Sequence, residues 1–398
     1  MVTYAFDKIK NQLRTMAKPL HSGKRTNKIA VCLAGGGITG AMYEIGCLAA
    51  LEDFLQDSCG VNEFDIFVGT SAGAIVSAIV ANGYTPREIF EGIGEESGSS
   101  LNFRRKDIYN LKWSEVFKSL APLFLKLPKL MLYGWKNRKQ ASFMDLLAIL
   151  QEFIPPGIFS LKNLDKFMTC LFYPEGKTND FRNLKKELYI PATELDTGKR
   201  WVFGEEDTNT VPISKAVAAS AAIPIFFRPF RINGHDFIDG STSQVSHMDV
   251  ALKHGAKLII IINPTMPFEN DPSKICLPTF DGQCGRLKEK GIGLINDQAR
   301  RIETKCRFDL GFARFKKEHP DVDFIIIQPK RSDPMLFLHG LMEFDSRKLI
   351  LNHGYNTTLN ELVQNQSCYQ EIFEKHKLKA KPDFLATQKS LDVKPAAL

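Results

Sequence analysis

Two glycine-rich segments constrain this chain more than anything else in it, because each follows an apolar run and opens a helical pattern. Residues 28–34 form a short apolar run that stops at Gly35, Gly36 and Gly37, with Gly40 close behind. Met42, Ile45, Leu48, Ala49, Leu51 and Leu55 then recur at helical spacing, predicting a helix over 40–56. A second apolar run, 64–68, stops at Gly69-Thr70-Ser71-Ala72-Gly73 and leads into an Ala-, Ile- and Val-rich helix over 72–82. Strand, glycine turn and helix, repeated, predict an α/β fold: a mainly parallel sheet with helices on both faces, a three-layer sandwich.

The second segment carries a nucleophile pattern. Residues 69–73 fit Gly-x-Ser-x-Gly between a strand and a helix, the setting in which a sharp elbow lifts a serine hydroxyl above the sheet. Gly69 and Gly73 let the neighbouring backbone pack without Cβ clashes. An ordinary helix N-cap in a glycine turn is the plainer alternative for Ser71. The first segment suits an anion. Backbone N–H groups of Gly35, Gly36 and Gly37, helped by the N-terminus of the helix they open, can converge on a developing oxyanion. Gly35, Gly37 and Gly40 also satisfy the dinucleotide fingerprint. That reading needs an acid at the end of the second strand, where this chain has Gly69, Thr70 and Ser71.

A third element is Asp239-Gly240, which by itself is a tight turn. It follows Ala218, Ala219, Ser220, Ala221, Ala222 and Pro224, a small-residue helix able to pack closely and bring the Asp239 loop toward Ser71. Together the elements resemble the patatin-like phospholipases: Gly-Gly-Gly-x-x-Gly, Gly-x-Ser-x-Gly, Ala-Ser-x-Ala-x-Pro and Asp-Gly in that order. Residues 192–198 resemble that family's hairpin, and the likeness covers roughly 28–330, more weakly to 363. The resemblance implies a Ser71–Asp239 dyad without histidine, Gly35–Gly37 and Ala72 as oxyanion donors, and a phospholipid or lysophospholipid substrate. Neither the His nor the Cys residues have ligand spacing, so no metal or cofactor is expected. Two positions depart from the family. Thr39 stands where it usually has Arg or Lys, and Ser241 where it usually has Gly or Ala. An acyltransferase using the same acyl-serine intermediate, and a catalytically silent lipid-binding scaffold, are the alternatives. A Ser–Asp–His triad would need His235, His247 or His254.

The rest of the chain bears on partners. The net charge of +7 favours anionic surfaces. No nucleic-acid motif accompanies it, so a membrane surface ranks first. Residues 1–27 read as a basic arm. Residues 97–180 read as a helical, lipid-facing insertion in which Trp113, Phe117 and Trp135 alternate with lysines. Further strands are expected over 188–193, 199–203, 257–263 and 323–328. A closing helix is expected over 345–363, and a tail, mobile from about 377, completes the organisation. The eight cysteines read mainly as buried free thiols, a Cys276–Cys284 bridge being the conceivable exception. Without a spanning apolar stretch or secretory core, a cytoplasmic protein held peripherally at a membrane is the expectation. Oligomeric state is not legible.

Overall fold

The computed structural model describes residues 27–55, 60–94, 99–109, 155–279 and 281–381. The basic arm up to residue 26 lies outside them, as do Trp113, Phe117 and Trp135 of the expected lipid-facing insertion.

The chain runs β1 (Lys28–Leu33), α1 (Gly37–Phe54), β2 (Ile66–Gly69), α2 (Ala72–Ala81), α3 (Pro86–Gly94), α4 (Arg105–Ile108), β3 (Gly157–Phe159), α5 (Lys162–Leu171), β4 (Glu187–Glu194) and β5 (Arg200–Phe203). It continues with α6 (Ile213–Ser220), β6 (Ile225–Phe227), β7 (Phe230–Ile232), β8 (His235–Ile238), α7 (Met248–Lys253), β9 (Ala256–Ile262), β10 (Leu277–Pro278) and β11 (Cys284–Gly285). It closes with α8 (Gly291–Glu318), β12 (Asp323–Ile327), α9 (Met335–Leu338), α10 (Arg347–Gln364) and α11 (Gln366–Lys375).

The main sheet has the order β12-β9-β1-β2-β4-β8-β7, with β5 also on β4. The pairs from β12 to β4 are parallel, and β5, β7 and β8 add antiparallel ones. β1 shows why this is a sandwich. Ile29, Val31 and Leu33 enter the core beneath α1, whereas Ala30 and Cys32 enter the one containing Met248, Val250 and Phe308. Successive side chains of a strand point to opposite faces, so a run that is apolar at every position must be covered twice.

Helix α1 is buried along nearly its whole length because α10 lies across it. Glycines permit the crossing: a Cβ on Gly46 would stand 2.3 Å from Leu351 O, and one on Gly354 2.6 Å from Tyr43 O.

The structure differs from the sequence expectation at the C-terminus and at the cysteines. α11 packs through buried Phe373 against Phe54, Leu378 is buried, and Ala380 bridges Leu55, so the packed chain runs beyond residue 377. Cys276 and Cys284 form a disulfide across the β10–β11 hairpin. Of the described free cysteines, Cys32 and Cys47 are buried, but Cys170, Cys306 and Cys368 are exposed. Among the described residues, no helix is long and apolar enough to cross a membrane.

Candidate active site

The parallel strands β1 and β2 deliver their glycine segments to the same end of the sheet, since Leu33 and Gly69 are register partners. Ser71 sits directly after β2 at φ 57°, ψ −126°, a backbone region that costs a non-glycine residue about 1–3 kcal/mol. Its environment holds it there. The Ser71 N–H donates to Ser220 Oγ at 2.9 Å, and Ser220 Oγ in turn donates to Pro191 O of β4 at 2.6 Å. Thr70 N is bonded to Leu33 O at 3.0 Å. Strain at one residue, fixed by bonds to two strands and a helix, aims the side chain.

The glycine loop lies against this elbow. A Cβ on Gly35 would stand 2.5 Å from Thr70 O and 2.8 Å from Ser71 Cβ. Gly35, Gly36 and Gly37 all have positive φ. The expectation that all three N–H groups face an oxyanion fails at Gly35, whose N–H donates to Glu44 Oε1 at 2.7 Å. The N–H groups of Gly36, Gly37 and Ala72 have no acceptor among the described residues. Gly40, whose N–H bonds Gly36 O at 3.0 Å, closes the loop into α1. Thr39 is buried there, its hydroxyl unpartnered, and adds no charge.

Asp239 arrives from the other half of the sheet. It follows β8, which runs antiparallel to β4, and its N–H donates to Ala222 O at 3.0 Å at the end of α6. Gly240 must be small, because a Cβ there would lie 2.3 Å from Pro191 O and 3.0 Å from Thr70 Cγ2. Asp239 is 2% exposed and Ser71 3%. The backbone N–H and the hydroxyl of Ser241 donate to Oδ1 at 2.8 and 2.7 Å. Buried Oδ2 makes no well-directed hydrogen bond and is the oxygen left for Ser71. Burial raises the Asp239 pKa, opposed by interactions with the hydroxyl of Ser71 and with Ser241.

The histidines expected of a triad are occupied elsewhere. Buried His247 donates through Nε2 to Gly240 O at 3.2 Å, and Arg200 donates to its Nδ1 at 3.2 Å while pairing with Asp249 at 2.7 Å. His254 stacks on Tyr189 at 4.1 Å, and half-exposed His235 lies 3.9 Å from Glu194. His247 thus supports the Asp239–Gly240 loop from behind.

Burial, and then the charge of Arg200, lower the His247 pKa from 6.5 to about 4. Between those values the unfolded imidazole binds a proton that the folded one refuses, so stability falls as pH drops through that window. Denaturant titrations at pH 7 and pH 5 should therefore differ more for the wild type than for His247→Gln. Equal differences in both proteins would contradict the assignment.

An apolar pocket opens at Ser71 between α1, α2, α3 and α5. Ile38, Met42, Ile75, Ile79, Ile93, Leu164 and Phe167 are among its walls, and Ser71 is the one polar side chain among the described residues lining it. The loop at Leu341 roofs the glycine turn, with Leu341 O accepting from Thr39 N at 3.4 Å, and Met342 reaches the pocket.

Sequence reasoning missed Ser220, Glu44 and the Arg200–Asp249–His247 group. Ser220 stood in the small-residue run but was read for its size, not its hydroxyl. Glu44 is an acid inside an otherwise apolar helix face, which was the available signal. It is fully buried, and burial raises its pKa well above the usual carboxylate range. No pattern marked the third group.

A serine at a strained strand-to-helix elbow, glycine N–H groups beside it and a buried aspartate from a second loop form a candidate site on a three-layer α/β sandwich. The family model of the patatin-like phospholipases matches residues 31–252, more than half of the chain, and the chain belongs to that family. Its curated relatives are distant. "Probable lipid hydrolase 463L" of Invertebrate iridescent virus 6 is 25% identical over 260 residues, covering 64% of this chain and 71% of the viral protein. The cGAMP-activated phospholipase of Vibrio cholerae is 24% identical over 237 residues, covering 56% of this chain and 52% of its own. The chain thus spans only about half of the Vibrio protein. Among solved structures, VipD from Legionella pneumophila aligns with a TM-score of 0.37 at 16% identity, covering 85% of this chain and 67% of VipD.

Proposed function

We propose that this protein is a serine lipid acyl hydrolase of the phospholipase A or lysophospholipase type, cleaving carboxylic esters of glycerolipids through an acyl-serine at Ser71. The observation carrying the reading is strained Ser71 at an apolar pocket that Gly37 and Ala72 also line, with buried Asp239 interacting with its hydroxyl and the N–H groups of Gly36, Gly37 and Ala72 unpaired among the described residues.

In this mechanism Asp239 Oδ2 takes the Ser71 proton as Oγ attacks the ester carbonyl. Charge developing on the carbonyl oxygen is met by the free N–H groups, each worth about 2.7–4 kcal/mol of transition-state stabilisation. Collapse expels the glycerol-side alcohol, which leaves with the proton from Asp239. Water then attacks the acyl-serine, Asp239 takes its proton and passes it to the departing Ser71 Oγ, and the fatty acid is released with the dyad restored. A dyad suffices because burial makes Asp239 a stronger base than an exposed aspartate. The pocket supplies substrate binding, at about 0.8 kcal/mol for each methylene it dehydrates.

Asp239 must be ionised to act, so activity falls as pH drops through its pKa. The Ser241 hydroxyl stabilises the ionised form. Ser241→Ala should therefore move the acidic limb of the kcat/KM profile to higher pH. An unmoved limb would show that Asp239 does not set it.

The test of the function is product analysis on phospholipid and lysophospholipid vesicles. Free fatty acid should appear with wild-type protein and not with Ser71→Ala. Acyl transfer to added glycerol in place of fatty acid release would make the protein a transferase, and no turnover of either kind would favour a scaffold.

A further inference from the structure

The 28-residue helix α8 has two apolar faces, and only one touches the rest of the described protein. Its inner face is fixed by buried Phe308, by Phe312 set edge-on to Phe324 at 5.4 Å, and by buried Arg301, which donates to the carbonyls of Met266 and Leu336. On the opposite side Ile292, Ile295, Ala299, Ile302, Cys306 and Leu310 succeed one another at intervals of three or four, the repeat of a single helix face. Ile292, Ile302 and Leu310 are 88%, 54% and 70% exposed. Isolated exposed apolar residues are ordinary, but a row aligned over about five turns is not.

Charge borders the row. Arg300, Arg307 and Arg314 stand seven residues apart along one edge, and Lys316 and Lys317 follow at the end of the helix. The acids on the exposed side each have a basic neighbour on the same helix: Glu303 with Arg307 at 3.9 Å, Asp309 with Lys305, and Glu318 with Arg314 at 2.8 Å. The helix also adjoins the candidate site. Arg307 donates to Thr242 O at 3.3 Å, three residues beyond Asp239.

We propose that the outer face of α8 is a docking surface for an anionic phospholipid bilayer, with its isoleucines and Leu310 at the acyl boundary and the arginine row against headgroup phosphates. This geometry is that of an interfacial amphipathic helix. The inference rests on the lipid-ester reading of Ser71, since docking here would set the region beside Asp239 at the bilayer. A second copy of the chain fits less well. An antiparallel pair of such helices would set both arginine rows on the same side, like charge beside like.

The test is co-sedimentation of the full chain with vesicles of phosphatidylcholine, alone or mixed with phosphatidylserine. Wild type should bind the mixed vesicles better, and salt should weaken that binding. Ile302→Asp with Leu310→Asp should reduce binding at least about tenfold, while leaving hydrolysis of a soluble short-chain ester and the near-ultraviolet circular dichroism unchanged. Arg314→Gln should weaken binding to mixed vesicles alone, by about fivefold. Leu310→Trp should show a blue shift of tryptophan emission, relative to wild type, when mixed vesicles are added. Binding undiminished in the double aspartate variant overturns the proposal. So does a wild-type dimer in sedimentation equilibrium that the same variant dissociates. Running the vesicle assay also with Ser71→Ala separates the two claims: docking that persists without any ester turnover by wild type would sink the hydrolase reading and leave the surface standing.

Discussion

Ser71→Ala is expected to lower kcat for lipid ester hydrolysis by about a million-fold, the scale seen when the attacking group of a serine hydrolase is removed. The effect is large because Ser71 is the one polar side chain among the described residues lining the pocket, while the hydroxyls of Ser220 and Ser241 are engaged, the first with Pro191 O and the Ser71 N–H and the second with Asp239. Fold and lipid affinity should survive, as the side chain makes no core contact that alanine lacks. Ser71→Gly should be equally inactive yet the more stable of the two, because glycine relieves about 1–3 kcal/mol of backbone strain at φ 57°. The greater freedom of the unfolded glycine chain offsets only about 0.4–1 kcal/mol of that gain. Thermal unfolding of the two variants measures the difference. An alanine variant more stable than the glycine variant would mean that the elbow is unstrained.

Gly35→Ala should have the second largest effect. Its Cβ would meet Thr70 O at 2.5 Å, Ser71 Cβ at 2.8 Å and Ala72 N at 3.3 Å, at a φ of +81° that disfavours any side chain. These neighbours are backbone and the Ser71 side chain itself, so relief requires the elbow or the glycine loop to shift. Over-packing of this kind costs about 1–3 kcal/mol of stability. A displacement of about 1 Å between nucleophile and oxyanion donors costs about a hundredfold in rate. The variant should therefore lose at least about a hundredfold in kcat, with KM much less affected because the acyl pocket is untouched. A loss confined to KM would place Gly35 in substrate binding instead.

The parts of the fold that could be read from sequence are those where one local pattern has one physical solution. The runs at 29–34 and 258–262 are apolar at every position, and only a strand covered on both faces buries them. The Gly35–Gly37 and Gly69–Gly73 turns sit where strand must become helix within a few residues. The hairpin β7–β8, which delivers Asp239, was left unassigned, although Asn233 at φ 49° and Gly234 at φ 92° form the kind of turn that Asn-Gly favours. Its strands are only three and four residues long, too short for alternation to register. Helix α8 escaped notice because apolar residues on two opposite faces blur the helical repeat. The Cys276–Cys284 bridge depends on a two-residue strand pair that no periodicity reveals.

The candidate site was legible as a set of residues that the fold brings together, and less so as a set of bonds. Ser71, Asp239 and the glycines follow from spacing and resemblance. That Gly35 gives its N–H to Glu44 depends on a side chain reaching back along α1 from the next helical turns, which no linear motif encodes. The same is true of His247, whose backbone at φ 44° turns its ring under Gly240.

The most direct measurement is covalent labelling of the full chain with a fluorophosphonate, followed by peptide mass spectrometry. A single adduct on Ser71 is expected, formed by wild type, absent from Ser71→Ala and, at neutral pH, strongly slowed in Asp239→Asn. An adduct on another serine, or lipid hydrolysis that persists in Ser71→Ala, would contradict the Ser71 assignment.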